Sequence, residues 1–152
     1  MTTNPLMSKR FTLAEAESLI PSVDRLLRQA VELKSGYANA ARKIDSFQER
    51  IALMGGVIVD RGKVQEARDR RDDAAVSLRS LIEQVQELGC VIKDLDIGLV
   101  DFPTTFRGRE VYLCWKLGEP SIAYWHGVDE GFAGRKAIDQ DFREHHEGDR
   151  AQ

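Results

Sequence analysis

Cysteine is scarce in this chain, with two in 152 residues. Cys90 and Cys114 form no Cys-x-x-Cys pair, which excludes a zinc knuckle and a thioredoxin-like redox motif. Such usage suits a cytoplasmic protein with reduced thiols. Long hydrophobic runs are also missing, and none approaches the roughly 18–20 residues of a membrane span. The first ten residues lack the apolar centre of a signal peptide. Charge of one sign is absent as a block: 22 Lys and Arg face 25 Asp and Glu, for a net charge of -3. With an isoelectric point near 5.7, this argues against nucleic acid and anionic membrane as partners. The run Arg68-Asp69-Arg70-Arg71-Asp72-Asp73 mixes the signs and reads as a helix face laced with ion pairs.

What is present is a long apolar seam: Ala16, Leu19, Val23, Leu26, Ala30, Leu33, Tyr37, Ala40, Ile44, Phe47, Ile51 and Met54. The steps alternate three and four, the period of a helix packed along another helix. Thr12 and Glu15 have capping-box spacing and mark the start of this helix. Pro21 falls within the seam, and the phase continues across it, so one helix with a bend is expected. Gly55-Gly56 stops it. A second seam reads Val64, Ala67, Arg71, Ala74, Leu78, Leu81, Val85 and Leu88, and Gly89 ends it. Two such helices joined by a short loop run antiparallel.

The pattern then changes to short extended runs. Cys90–Leu95, Leu99–Phe106, Glu110–Leu117 and Ser121–His126 read as strands. Arg107-Gly108 is a hairpin turn, and Gly118-Glu119 is expected to be another. The predicted fold is α+β: a long, coiled-coil-like antiparallel helical hairpin packed on a three- to four-stranded antiparallel meander. The length suits one domain, placed at residues 11–138, with the hairpin over 11–89 and the meander and C-terminal loop over 90–138. Residues 1–10 and 139–152 are expected to be flexible tails.

The two turns imply a register. Across the first, Val100 faces Trp115, Asp101 faces Cys114 and Phe102 faces Leu113. Across the second, Trp115 faces Ile122, Leu113 faces Tyr124 and Val111 faces His126. Side chains alternate faces along a strand. One face, with Val100, Phe102, Val111, Leu113, Trp115, Leu117, Ile122 and Tyr124, is the core face. The other carries Asp101, Pro103, Tyr112, Cys114, Lys116, Ala123 and Trp125. This register sets Cys114 and His126 on opposite faces and so speaks against a Cys–His nucleophilic pair. For metal ligation, His126, Asp129 and Glu130 offer nitrogen and oxygen donors at close spacing. His145 and His146 lie in the charged tail with no further ligands specified. Gly131, Gly134 and Arg135 lack the strand–loop–helix context of a phosphate cradle.

Taken together, Lys93-Asp94-Leu95, Gly98-Leu99-Val100-Asp101-Phe102-Pro103, Gly108-Arg109-Glu110-Val111-Tyr112-Leu113-Cys114-Trp115-Lys116-Leu117-Gly118-Glu119, Tyr124-Trp125-His126 and Gly131-Phe132-Ala133-Gly134-Arg135 form a distinctive succession. It resembles a family of small bacterial proteins known as a domain of unknown function, DUF 2203. The opening Phe11-Thr12-Leu13-Ala14-Glu15-Ala16 resembles that family's start. The resemblance covers roughly residues 11–138 and implies a bacterial cytosolic source. It carries over no activity, cofactor or catalytic residue.

Two functional expectations follow. The first is a non-enzymatic protein-interaction module, a homodimer, because the first helix outruns the second and leaves apolar seam to be covered. The hairpin tip Val57-Ile58-Val59 is a further candidate contact. The alternative is a small-molecule or divalent-metal-binding protein, with or without enzymatic activity. It would use the second face of the sheet and the loop after His126. That alternative requires Asp101, Tyr112, Cys114, Glu119, Trp125, His126 and Arg135 to converge.

Overall fold

The computed structural model describes residues 9–54 and 60–149. The tip residues Val57, Ile58 and Val59, and the stop at Gly55-Gly56, lie outside the described residues. The first helix, α1, spans Leu13–Met54, and the second, α2, spans Arg61–Glu87. The expected capping box is present. The Thr12 amide donates to Glu15 Oε1 at 3.0 Å, and the Glu15 amide donates to Thr12 Oγ1 at 3.1 Å. Hydrogen bonds from the Thr12 amide and hydroxyl hold the Glu15 carboxyl below its ordinary range. Pro21 lies inside α1, which continues through it. Asp60 caps α2 by accepting from the Gly62 and Lys63 amides, and Gly89, at φ +99°, follows its end.

The helices and sheet fall into two compact units. Residues 28–82 form one, the helical hairpin. Among the described residues its buried apolar side chains are Ala30, Ala40, Ile44, Ala67, Ala74 and Leu81, all on the two predicted seams, and the four alanines let the helices approach closely. Tyr37, Ile51 and Met54, also on the predicted seam, are exposed.

Among the described residues the other unit joins 9–27 to 83–149. Its sheet has six antiparallel strands: β1 (Val91–Asp94), β2 (Leu99–Phe106), β3 (Arg109–Lys116), β4 (Tyr124–Gly127), β5 (Lys136–Ala137) and β6 (His146–Glu147). The order is β1-β2-β3-β4-β5, and β6 pairs with β2. This exceeds the three to four strands expected, because β5 and β6 are two-residue strands too short to carry an alternating pattern. Arg107 (φ 51°) and Gly108 (φ 78°) form the β2–β3 turn, both in the left-handed region that a tight hairpin requires. The β2–β3 register is the one predicted, with Val100, Asp101 and Phe102 opposite Trp115, Cys114 and Leu113. Phe11, Val23, Leu27, Val85, Val100, Phe102, Leu113 and Trp115 are buried in this unit.

Residues 139–149, expected as a frayed tail, are ordered into secondary structure. Helix α3 (Gln140–His145) is capped by Asp139 Oδ1, which accepts from the Phe142 amide at 2.8 Å. Phe142 is fully buried and stacks on Phe106, Trp125 and His146. His146 Nε2 accepts the Leu13 amide at 2.9 Å, so the segment around His146 closes over the start of α1. A charged composition hid this, because one phenylalanine and one histidine make most of the attachment.

Candidate metal centre

The β3–β4 connection decides the site. A two-residue turn at Gly118-Glu119 was expected, but β3 ends at Lys116 and β4 begins at Tyr124. Within this longer loop the Lys116 amide donates to Glu119 Oε1 at 2.7 Å and Trp115 Nε1 donates to the Glu119 carbonyl at 3.0 Å. The pairing therefore slips by one residue from the predicted register. Tyr112 faces His126, Leu113 faces Trp125 and Cys114 faces Tyr124. A slip of one exchanges the faces of the whole strand. His126 joins the Asp101–Tyr112–Cys114 face, and Trp125 leaves it. Pro120 was the signal in the sequence: a tight hairpin would have placed it in the ladder opposite Leu117, where it has no N–H to give.

Asp101 on β2 and His126 on β4 reach toward each other across β3, above Cys114. His126 Nε2 lies 2.9 Å from Asp101 Oδ2, and His126 Nδ1 lies 2.8 Å from the Gly127 carbonyl oxygen. Asp101 is 0% exposed, Cys114 0% and His126 3%. A carbonyl only accepts, so Nδ1 carries a proton. That contact leaves Nε2 facing the Asp101 carboxylate. Asp101 Oδ1 is buried with no hydrogen-bond partner. The ligand atoms of Asp101, Cys114 and His126 all lie within 4.8 Å of one another, a spacing at which the three could hold one metal ion.

Burial pushes the Cys114 thiol up to about 12, and the Asp101 charge adds to the rise while the Arg135 charge opposes it. Tyr112, its ring centroid 5.5 Å from that of His126, is also raised, chiefly by burial and then by the Glu110 and Asp101 charges. Cys114 is a buried thiol whose proton is held firmly, and the His126 Nε2 faces Asp101, an arrangement that disfavours a nucleophilic role.

Arg135 lies beside this cluster. Its Nη2 donates to Glu119 Oε1 at 2.6 Å and to the Cys114 carbonyl at 3.3 Å. Its guanidinium lies 4.1 Å from the Tyr124 ring centroid and 4.9 Å from that of Phe132. Its Nε is buried without a hydrogen-bond partner. Asp101, Tyr112, Cys114 and His126 therefore come together, and the Arg135–Glu119 pair borders them. Trp125 packs elsewhere, 5.2 Å from Phe106 and 5.0 Å from Phe142 by ring centroids. Of the other two residues expected as ligands, Asp129 is exposed, and Glu130 accepts from the Gly127 amide and pairs with Lys136. The Lys136 hydrogen bond is the main cause that holds the Glu130 carboxyl low. Neither joins the cluster.

The family model for uncharacterized conserved proteins (DUF2203) matches residues 9–138. The chain is a DUF2203 protein. No curated protein and no solved structure matches it. The matched span of this DUF2203 protein contains every residue of the cluster and its Arg135–Glu119 border, and it ends before Phe142 and His146. No helix among the described residues is long and apolar enough to cross a membrane.

The thiols give a direct check on the chemistry of the metal-free protein. Cys90 is also raised to about 12, again by burial. With EDTA present at pH 8, neither thiol of the native protein is expected to react with Ellman's reagent, and both react in urea. Each folded value lies above the ordinary thiol value of 9.0, so the contribution to stability is complete below pH 9 and is lost as pH rises toward 12. Rapid reaction of one thiol in the native state would show Cys114 or Cys90 to be open and activated.

Proposed function

We propose that this protein binds a borderline divalent metal ion, of the zinc class, through Cys114, His126 and Asp101. The observation that carries the reading is the fully buried Asp101 carboxylate, one oxygen on His126 and the other without a partner, within ligand reach of a thiol. A thiolate, an imidazole and a carboxylate form a donor set suited to zinc. Two anionic ligands would neutralise the ion in a dry site. The Nδ1–H contact to the Gly127 carbonyl fixes the ring with Nε2 toward the cluster, the outer hydrogen bond typical of metal-bound histidine. Binding would remove the proton from the Cys114 thiol, so metal uptake releases a proton.

The burial of all three ligands favours a metal that ties β2, β3 and β4 together over one that activates water. The role supported is that of a metal-stabilised or metal-responsive binding protein. The test is metal analysis of the untagged protein, with zinc and cobalt titrations of apoprotein. One ion per chain is expected, with a near-ultraviolet thiolate-to-cobalt band that Cys114→Ser abolishes. Zinc at 100 times its dissociation constant should raise the unfolding free energy by about 2.7 kcal/mol. No bound metal, no cobalt band and no stabilisation would reduce the trio to a hydrogen-bonded core.

A further inference from the structure

The helical hairpin carries a second feature, independent of the metal reading. Between α1 and α2 runs a groove of about 680 Å³, and it is unlike the rest of the chain in charge. Four cations line it, Lys43 and Arg50 from α1 and Lys63 and Arg70 from α2, against one carboxylate, Glu66. The whole chain has a net charge of -3, so positive charge is concentrated here. Among the described residues, no ion pair engages any of these four cations, and Arg50 lies 5.9 Å from the Phe47 ring centroid.

The spacing is regular. Lys43 and Arg50 are seven apart, and so are Lys63 and Arg70, two turns or about 10.5 Å on each helix. The groove is also lined by Phe47, half-buried, and by the small residues Gly36, Ala40 and Ala67. Ala40 and Ala67 are buried in the floor of the groove, while the exposed Gly36 lets a third helix approach closely and the half-buried Phe47 offers it an apolar contact.

We infer that this groove docks an acidic amphipathic helix of another protein, its apolar stripe on Phe47 and its carboxylates between the paired cations. Charge complementarity selects this occupant. A second copy of the chain meeting the same face about a two-fold axis would set cations against cations, which disfavours the homodimer at this surface. An extended nucleic acid would run past exposed carboxylates on the same helices, at Asp45, Glu49, Asp69, Asp72 and Asp73.

The experiment uses the full chain and fluorescence anisotropy. The probes are a labelled Leu/Glu amphipathic peptide of roughly 20 residues, its Lys-for-Glu counterpart, and an oligothymidylate of similar length. The acidic peptide should bind, with affinity at least tenfold weaker in the Lys43→Glu/Arg50→Glu variant and in high salt, and the basic peptide should not bind. Both substituted positions are exposed, so circular dichroism should show unchanged helix content. Failure of the acidic peptide to bind, or binding indifferent to the double substitution, overturns the inference. Tighter binding of the oligothymidylate, lost in the same variant, overturns it in favour of a polyanion groove. Neither result bears on the metal site, whose ligands lie in the other unit.

Discussion

His126→Ala is expected to lower the unfolding free energy of the metal-free protein by about 3–5 kcal/mol, the range for breaking a buried charged pair from one side. The imidazole is the hydrogen-bonded partner of a carboxylate that has 0% exposure, and the other carboxylate oxygen already has none. Removing it leaves both oxygens dry and unsatisfied. The double variant Asp101→Leu/His126→Leu should lose less than His126→Ala alone, because neither charge is then stranded. Urea unfolding in EDTA, followed by tryptophan fluorescence, measures both. A loss under about 1 kcal/mol for His126→Ala would mean that water reaches the Asp101 carboxylate and that the pair is an ordinary surface contact.

That dyad was half legible in the sequence. Asp101 opposite Cys114 followed from the Arg107-Gly108 turn, whose two left-handed residues leave one tight geometry. His126 did not follow, because its face depends on the parity of a loop, and the loop's conformation is set by tertiary contacts. Glu119 organises it through three partners: the Lys116 amide, Trp115 Nε1 and Arg135. The last of these lies 16 residues away and is invisible to local turn rules. The one-residue slip placed His126 beside Cys114 and turned Trp125 toward Phe142.

The helices were read more fully, for a physical reason. A seam with a 3.5-residue period is a property of the chain itself, and its burial needs only a partner of the same period. Ala30, Ala40, Ile44, Ala67, Ala74 and Leu81 are buried at the predicted positions. Arg71 takes a seam position while its guanidinium Nε donates to Asp72 at 3.1 Å, a long side chain carrying its charge out to the surface. What the seam did not reveal is the charge sorted into the groove beside it. Lys43, Arg50, Lys63 and Arg70 come from separate stretches in which acids and bases alternate, and only antiparallel pairing sets them together.

Phe142→Ala is the second large effect, with an expected loss of about 3–5 kcal/mol. The ring has 0% exposure and lies 4.8 Å from Phe106, 5.0 Å from Trp125 and 5.3 Å from His146 by centroid. Its removal opens a cavity among three aromatic rings and releases the segment behind it. That segment matters at a distance: His146 accepts the Leu13 amide, and the Asp149 amide and carboxylate bond to the Arg10 backbone. Hydrogen exchange separates the two consequences. In Phe142→Ala the Leu13 and Arg107 amides, held by His146 and by the His145 carbonyl, should exchange faster, while amides in the middle of the β2–β3 ladder slow or quicken only with global stability. Phe142→Leu should keep most of the stability and the Leu13 protection, since it fills much of the same space. If Phe142→Ala costs less than about 1 kcal/mol, residues 139–149 are a detachable strap, and the start of α1 is held by Thr12 and Glu15 alone.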